Sequence, residues 1–255
     1  GRRPRAVSVR RLSLDVGGTT AKCSLIHDSR PTLDSEYKLE HTRIAPGYPV
    51  QVPVVDIVEI GAGGGSIARI DERGALCVGP ESAGSMPGPA CYGRGGDKPT
   101  LSDALLTLGI FDPASFADGQ MQLDKDKAVA AIATVAEPLG LSVEDAALAI
   151  VEIAHASMIN ALKLVTVQRG HGPRDAAFVI SGGAGPALAS RLGRDLGVKV
   201  TVVPPHPGIF SAWGMLAAEP RADFRGTWFS PLEPEAINEL KRRFDGLKRE
   251  AVTYF

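Results

Sequence analysis

In the first third of the chain, apolar positions alternate with polar ones or fall in short runs, the pattern of strands. LSLDV (12–16), AKCSLIH (21–27) and a stretch at about 35–42 read as three strands, with Gly17-Gly18-Thr19-Thr20 turning the first into the second as a β-hairpin. VVDIVEI (54–60) and SIARID (66–71) predict another strand pair around the glycine run 61–65. A turn at Glu72-Arg73-Gly74 and a strand over 75–78 follow. From Gly79 to Pro99 no period is visible, and the density of glycine and proline predicts an ordered loop; such a segment inside a compact domain usually has a task.

Beyond residue 100 the period lengthens to that of helices. Thr100 and Asp103 form a capping pair, predicting a helix over 101–108 that ends at Gly109. Val129, Ile132, Ala133 and Ala136 mark a helix over 124–137. Ser142 with Asp145 starts a longer one over 143–165, with Leu148, Glu152, His155, Ile159 and Leu162 on or near one stripe. Then come a buried-looking strand at 176–180, the turn GGAGP, a helix at 187–196 closed by Gly197, and a strand at 198–203, a unit typical of α/β domains. Pro204-Pro205-His206-Pro207-Gly208 breaks the chain before a short apolar helix at 209–217. The charged helix at 234–250 carries Ile237, Leu240, Phe244 and Leu247, a stripe that needs the body, a partner or a further domain to cover it.

Composition narrows the function classes. With 255 residues, 44% hydrophobic and 22% charged, the chain can bury a substantial core as one large domain or two small ones, and general disorder is excluded. A net charge of -1 lacks the footprint of a nucleic-acid binder; the five arginines among residues 1–11 read as a solvated run. Cys23, Cys77 and Cys91 are odd in number and lack metal-type spacing, which fits a reduced compartment. No run of 18 apolar residues and no signal-peptide plan is present, so a cytoplasmic protein without a membrane partner is expected. The 29 glycines and 19 prolines have no three-residue period, which excludes collagen. The glycines concentrate at 17–18, 61–65, 84–96 and 182–186.

Two of these clusters carry candidate chemistry. LSLDVGGTTAK places Asp15 at a strand end before two glycines and two hydroxyls. Gly17 and Gly18 let amides face an anion, Thr19 and Thr20 offer hydroxyls, and Asp15 can orient Mg2+ directly or through water. Lys22 faces either away from Asp15 or toward a phosphate rim. The run lacks the spacer and GK[ST] of a P-loop and has no helix after it, leaving a plain hairpin turn or a hairpin of phosphate donors. In VISGGAGPALASRLG, Gly182, Gly183 and Gly185 sit between strand and helix, where they either make a tight turn or admit an anion or flat ligand at the helix start.

Other polar residues read more blandly. Asp56, Glu59 and Asp71 suit solvated or turn-capping roles better than a Mg2+ site. His155 reads as a core or interface histidine bonded to Glu152, and His171, between Arg169 and Arg174, reads equally as a structural residue or a contact to phosphate or a ring substrate. Cys91 is the most loop-exposed thiol, with no base in reach by spacing. Phe210 and Trp213 read as packing under the nucleotide turn rather than as a stacking platform.

Taken together, LSLDVGGTTAKCSLI (12–26), VDIVEIGAGGGSIARID (55–71), VGPESAGSMPGPACYGRGGDKPTLSDALLTLG (78–109), VQRGHGPRDAAFVISGGAGP (167–186) and PPHPGIFSAWG (204–214) resemble the central portion of the hydantoinase A / 5-oxoprolinase family, the N-methylhydantoinase A-like subunits. The resemblance implies an α/β, ribonuclease-H-like nucleotide-binding lobe of the actin, hexokinase and heat-shock chaperone superfamily, with a loop and helical insertion at 79–165. The central domain would span 1–220, and 221–255 would begin a further C-terminal region. It implies ATP and Mg2+ as cofactors and ATP-dependent opening of a cyclic amide or imide of the 5-oxoproline or hydantoin type through a phosphorylated amide. The alternatives are a nucleotide-using subunit of an acetone or acetophenone carboxylase, or a non-catalytic nucleotide-binding or assembly domain.

By the same resemblance Asp15, Gly17, Gly18, Thr19 and Thr20 match the second phosphate loop, with Asp15, Thr19 and Thr20 in catalysis and Asp15 on the metal. Gly182, Gly183 and Gly185 match the nucleoside-side turn. At Glu59 the family often has a histidine. The first phosphate loop belongs to a preceding domain, so half of the cleft is expected elsewhere and isolated ATPase activity should be weak or nil. A hydantoinase B-like subunit or domain and a homo- or hetero-oligomer are implied as partners.

Overall fold

The computed structural model describes residues 10–34, 37–39, 45–50, 53–117, 119–231 and 233–255. Two compact units divide between Trp213 and Gly214. The first opens with the hairpin β1 (Arg10–Val16) and β2 (Ala21–His27), in register from Arg10–His27 to Val16–Ala21. β3 (Arg30–Pro31) folds back on β2. Four two-residue strands follow, β4 (Leu33–Asp34), β5 (Lys38–Leu39), β6 (Tyr48–Pro49) and β7 (Val54–Val55), pairing β4 with β7 and β5 with β6. Of the strand expected at about 35–42, only Lys38–Leu39 is seen; 35–36 and 40–42 lie outside the described residues.

β8 (Val58–Ile60) runs antiparallel to β2, while β9 (Ser66–Ile70) and β10 (Leu76–Ser82) make a separate hairpin. The expected pairing of 54–60 with 66–71 is therefore wrong. The glycine run between them does not reverse a hairpin but carries the chain from the edge of one sheet to another. The turn at Glu72-Arg73-Gly74 and the strand after it are as read, although that strand continues into the expected loop as far as Ser82.

The helices are α1 (Leu101–Thr107), α2 (Lys125–Leu139), α3 (Val143–Val165) and α4 (Gly185–Leu196), the last lying between β11 (Ala176–Ser181) and β12 (Val200–Val202). The main sheet has the order β12-β11-β1-β2, with β3 and β8 sharing the outer edge of β2. β1, β11 and β12 are parallel. Leu12, Leu14 and Val16 of β1 and Phe178 and Ile180 of β11 are fully buried on one face, and the alternate residues Arg11, Ser13 and Asp15 stay partly exposed. This period-two pattern places the core on one side of the sheet, against α3 and α4, and turns Asp15 to the other side.

The cap of α1 forms as read: Thr100 Oγ1 accepts from the Asp103 amide while the Asp103 carboxylate takes the Thr100 amide. On α3 the termini match, and of the expected stripe His155 and Leu162 are buried and Ile159 packs against the core, but Leu148 does not join it. The buried face is Ala147, Ile150, Val151, Ala154, Met158, Ala161, Leu162 and Val165, whereas Leu148 is exposed. The small alanines let α3 lie close to its neighbours and rotate the stripe away from the larger Leu148. This helix is long and apolar enough by composition to cross a membrane, with a mean hydropathy of 1.5 in its most apolar window, yet Ile150, Met158 and Leu162 are wholly enclosed in the core of this fold.

His155 is buried on α3, but its partner is not Glu152, which pairs with Arg191 of α4; His155 Nε2 lies 3.5 Å from Asp195 Oδ2, also of α4. Burial, then the nearby Arg191 charge, holds the imidazole pKa below its ordinary value against the opposing pull of Asp195 and Glu152. A histidine depressed in the fold stabilises it above the unfolded pKa of about 6.5 and loses that contribution as pH falls through the lower folded value. Acidification from about pH 7.5 to 5 should therefore lower the melting temperature more in the wild type than in His155→Gln, as followed by circular dichroism; equal slopes would contradict this.

The second unit contains the last three residues of α5 (Phe210–Leu216) and all of α6 (Pro234–Tyr254), with Phe224 edge-on to Tyr254 and the Arg243 guanidinium 5.7 Å from the Trp228 ring centre. Ile237, Leu240 and Phe244 on α6 are each about half exposed.

Candidate functional site

Parallel pairing of β1 with β11 sets Asp15 opposite Ser181, so the two strands end together and their glycine turns lie side by side at the carboxyl ends, where open α/β sheets take ligands. The Gly17 amide donates to Thr20 O at 3.0 Å and closes the first turn. The Ala184 amide donates to Val16 O at 3.0 Å and ties the second turn to the end of β1. Gly182 sits at φ 85°, and a Cβ there would overlap Val16 O and the Asp15 carboxylate, so only glycine allows the two strand ends to meet. The Gly182 amide donates to Pro207 O at 2.9 Å, bringing the PPHPG segment to the same place. From that segment's helix, Ser211 Oγ donates to Asp15 Oδ2.

A third glycine run completes the floor. Gly64 and Gly65 amides donate to Gly17 O at 2.9 Å and Gly18 O at 2.6 Å, and Ser102 at the start of α1 donates its amide to Gly64 O at 2.8 Å. A Cβ on Gly63 would stand 2.8 Å from Gly17 O and from Gly18 C and O, closer than real Cβ contacts come. Sequence reasoning missed the role of 61–65. The available signal was four glycines in the five residues directly after a strand, more than a turn requires and fit for backbone lying against backbone.

The outward faces of Gly18 and Gly183 are open: a Cβ at either would meet nothing within 4 Å. Gly182 and Gly183 line a cavity of about 760 Å³, with His206 to Ile209 on one side and Phe111 and Phe116 on another, a size typical of small-molecule sites. Asp15, which lies against Gly182 at the edge of this space, is a carboxylate that could hold a Mg2+ ion there, with phosphate and water as its remaining ligands.

The remaining candidates are accounted for. Thr19 is exposed on the turn; Thr20 Oγ1 accepts from Lys22 Nζ at 2.7 Å, and Lys22 also pairs with Glu59 at 2.9 Å, its register partner across β2 and β8. The Lys22 hydrogen bond, with a smaller one from Thr20, holds the Glu59 carboxyl below its usual range. Asp56 is bound by Arg169, and Asp71 caps its own turn by accepting the Arg73 and Ala75 amides at 2.9 Å. These acids serve separate structures, and among the described residues no three His, Cys, Asp or Glu side chains group to hold a metal.

His171 precedes β11, whereas the glycine turn follows it, so the two are a strand's length apart, about 17 Å at 3.3 Å per residue; a phosphate contact by His171 at these turns is ruled out. Cys91 is wholly buried, contrary to its reading as the most exposed thiol, because its turn is folded under α1. Burial, then Asp103, pushes its pKa up, and burial takes Cys23 up to about 12 against the nearby Arg169, so neither is a ready nucleophile. Phe210 and Trp213 stack on each other at 5.7 Å, with Trp213 mostly exposed, so Trp213 does not pack under the turn.

Known proteins share this fold. The crystal structure of the ATP-dependent caprolactamase from Pseudomonas jessenii superposes with a TM-score of 0.76 at 33% identity, covering 96% of this chain and 35% of that one. A nucleotide-free structure of acetone carboxylase gives a TM-score of 0.74 at 31% identity, over 83% of this chain and 29% of that one. An uncharacterized protein of Methanocaldococcus jannaschii is 44% identical over 247 residues, 94% of this chain and 36% of its own length. The chain thus spans about a third of these relatives. The hydantoinase/oxoprolinase family model matches residues 5–224, and the chain belongs to that family.

Proposed function

We propose that this chain forms one nucleotide-binding lobe, ribonuclease-H-like in type, of an ATP-dependent enzyme that activates a small cyclic amide or imide by phosphorylation. The observation that supports this best is the meeting of Asp15 with two glycine turns at the ends of parallel strands, braced by a third glycine run. The strand order, with an antiparallel hairpin beside two parallel strands, agrees with such a lobe. In this reading Gly17, Gly18, Thr19 and Thr20 surround transferring phosphate oxygens, Gly182, Gly183 and Gly185 take the nucleoside side, and Asp15 holds Mg2+. Bound Mg2+ would neutralise charge on the phosphate oxygens. The chain contributes positioning and fixed dipoles, from which phosphoryl transfer gains most of its rate.

The phosphorylated amide is then hydrolysed with groups from a partner, a hydantoinase B-like subunit or domain in a homo- or hetero-oligomer. A carboxylase using the same lobe is the second reading, favoured by the likeness to acetone carboxylase. In the full-length protein, ATP turnover that requires a lactam or hydantoin supports ring opening; turnover that requires bicarbonate and a ketone selects carboxylation.

Gly183→Ala tests the placement of the nucleotide. The new methyl meets no protein atom, so folding should be unchanged, but it stands in the ligand's space. Affinity for a non-hydrolysable ATP analogue, measured by calorimetry on the full-length protein, should fall about tenfold, the equivalent of ~1.4 kcal/mol. Unchanged affinity would move the nucleotide away from this turn.

A further inference from the structure

Nothing in the local sequence of β1 fixes the direction of the Asp15 carboxylate, because the residue sits on the half-exposed side of the sheet at a strand end. Two remote contacts fix it instead. Gly182 lies against Oδ1, and Ser211, 196 residues away, donates its hydroxyl to Oδ2. Ser211 is itself brought there by a defined route. Pro207 O accepts the Gly182 amide, His206 takes the left-handed conformation at φ 51° that turns the chain, and the Ile209 amide closes on His206 O at 3.1 Å before α5 begins.

We propose that Ser211 is a positioning residue for Asp15: its hydroxyl occupies Oδ2 and leaves Oδ1, which lies beside Gly182, for the metal. The inference rests on the assignment of Asp15 to Mg2+. A hydrogen bond to an exposed carboxylate adds little to stability, but partners behind a metal-binding carboxylate set its orientation, and their loss commonly costs 10 to 100-fold in metal affinity or activity. Ser211 does not contact the reacting atoms in this role, so its removal should weaken metal binding more than nucleotide binding.

The test uses the full-length protein with Mn2+ as the probe, its binding followed by electron paramagnetic resonance in the presence of a non-hydrolysable ATP analogue. Ser211→Ala should raise the Mn2+ dissociation constant by about tenfold or more. It should raise the Mg2+ concentration for half-maximal turnover in parallel, with KM for ATP at saturating Mg2+ nearly unchanged. Ser211→Thr, which keeps the hydroxyl, should restore both. In an Asp15→Asn background, Ser211→Ala should add nothing. Wild-type Mn2+ affinity in Ser211→Ala, alongside loss of that affinity in Asp15→Asn, would overturn the positioning role while leaving Asp15 on the metal. Wild-type affinity in Asp15→Asn would overturn both, and a fall in kcat without any change in metal dependence would mark a purely structural effect and also overturn the proposal.

Discussion

Replacing Asp15 by Asn in the full-length enzyme should reduce ATP-dependent turnover by about 10²- to 10³-fold, the scale seen when one preorganised electrostatic group is removed from a site. Asparagine keeps the shape of aspartate, so the packing of Gly182 and a hydrogen bond from Ser211 can persist. What disappears is the negative charge at the meeting point of the glycine turns, and with it, in the proposed role, the attraction for a divalent cation. The unfolding midpoint should therefore stay near that of the wild type while phosphate release collapses. Steady-state phosphate release over a range of Mg2+ concentrations separates the possibilities. If excess Mg2+ restored full turnover, Asp15 would contribute affinity alone, and if turnover were unchanged at all concentrations it would have no part in the chemistry.

Asp103→Ala should cost about 3–5 kcal/mol of stability, a large share of the ~5–15 kcal/mol available to a typical domain. The carboxylate is fully buried and accepts from the Cys91 amide at 2.7 Å, the Ala90 amide at 3.3 Å, and the Thr100 amide and hydroxyl at 2.9 and 2.7 Å. Alanine strands these donors in the interior, at roughly 1–3 kcal/mol for each that water cannot reach. Asp103→Asn, which keeps one acceptor oxygen, should fall between alanine and wild type. Denaturant unfolding measures the series, and a loss below about 1 kcal/mol for alanine would mean that the buried donors find other acceptors. The variant should also disturb the glycine floor, since the Ala83 amide, at the start of the segment pinned by Asp103, donates to Gly65 O at 2.9 Å.

The helices were readable from sequence because their ends carry local chemistry. Thr100 and Ser142 cap with the carboxylates three residues on, and Gly197 closes α4 in the left-handed conformation; α2 runs two residues past its expected end at 137, to Leu139, where Gly140 closes it. The β1–β2 hairpin was readable because Leu12, Leu14 and Val16 alternate with partly exposed residues across a short turn. Pairing between remote strands was not readable. VVDIVEI and SIARID look like hairpin partners in sequence, yet β8 joins β2 and β9 joins β10, a choice decided by the packing of Gly63 to Gly65 on the first turn. For the candidate site, Asp15 and the glycines on either side were legible as residue types. The third glycine run and Ser211 were not, because their relevance lies in contacts with chain far away. His155 shows the same limit, since helical spacing offered Glu152 while the fold gives Glu152 to Arg191 and leaves Asp195 of another helix 3.5 Å from the imidazole.

The parallel seam between β1 and β11 also bears on how the protein comes into being. Its two strands leave synthesis with the whole of the intervening helical region between them, and closing so wide a loop is slow compared with forming a helix or a hairpin. Until it closes, Asp15 has neither Gly182 nor Ser211 beside it. A nascent chain therefore carries the first glycine turn long before the residues that complete the geometry around Asp15 have joined it.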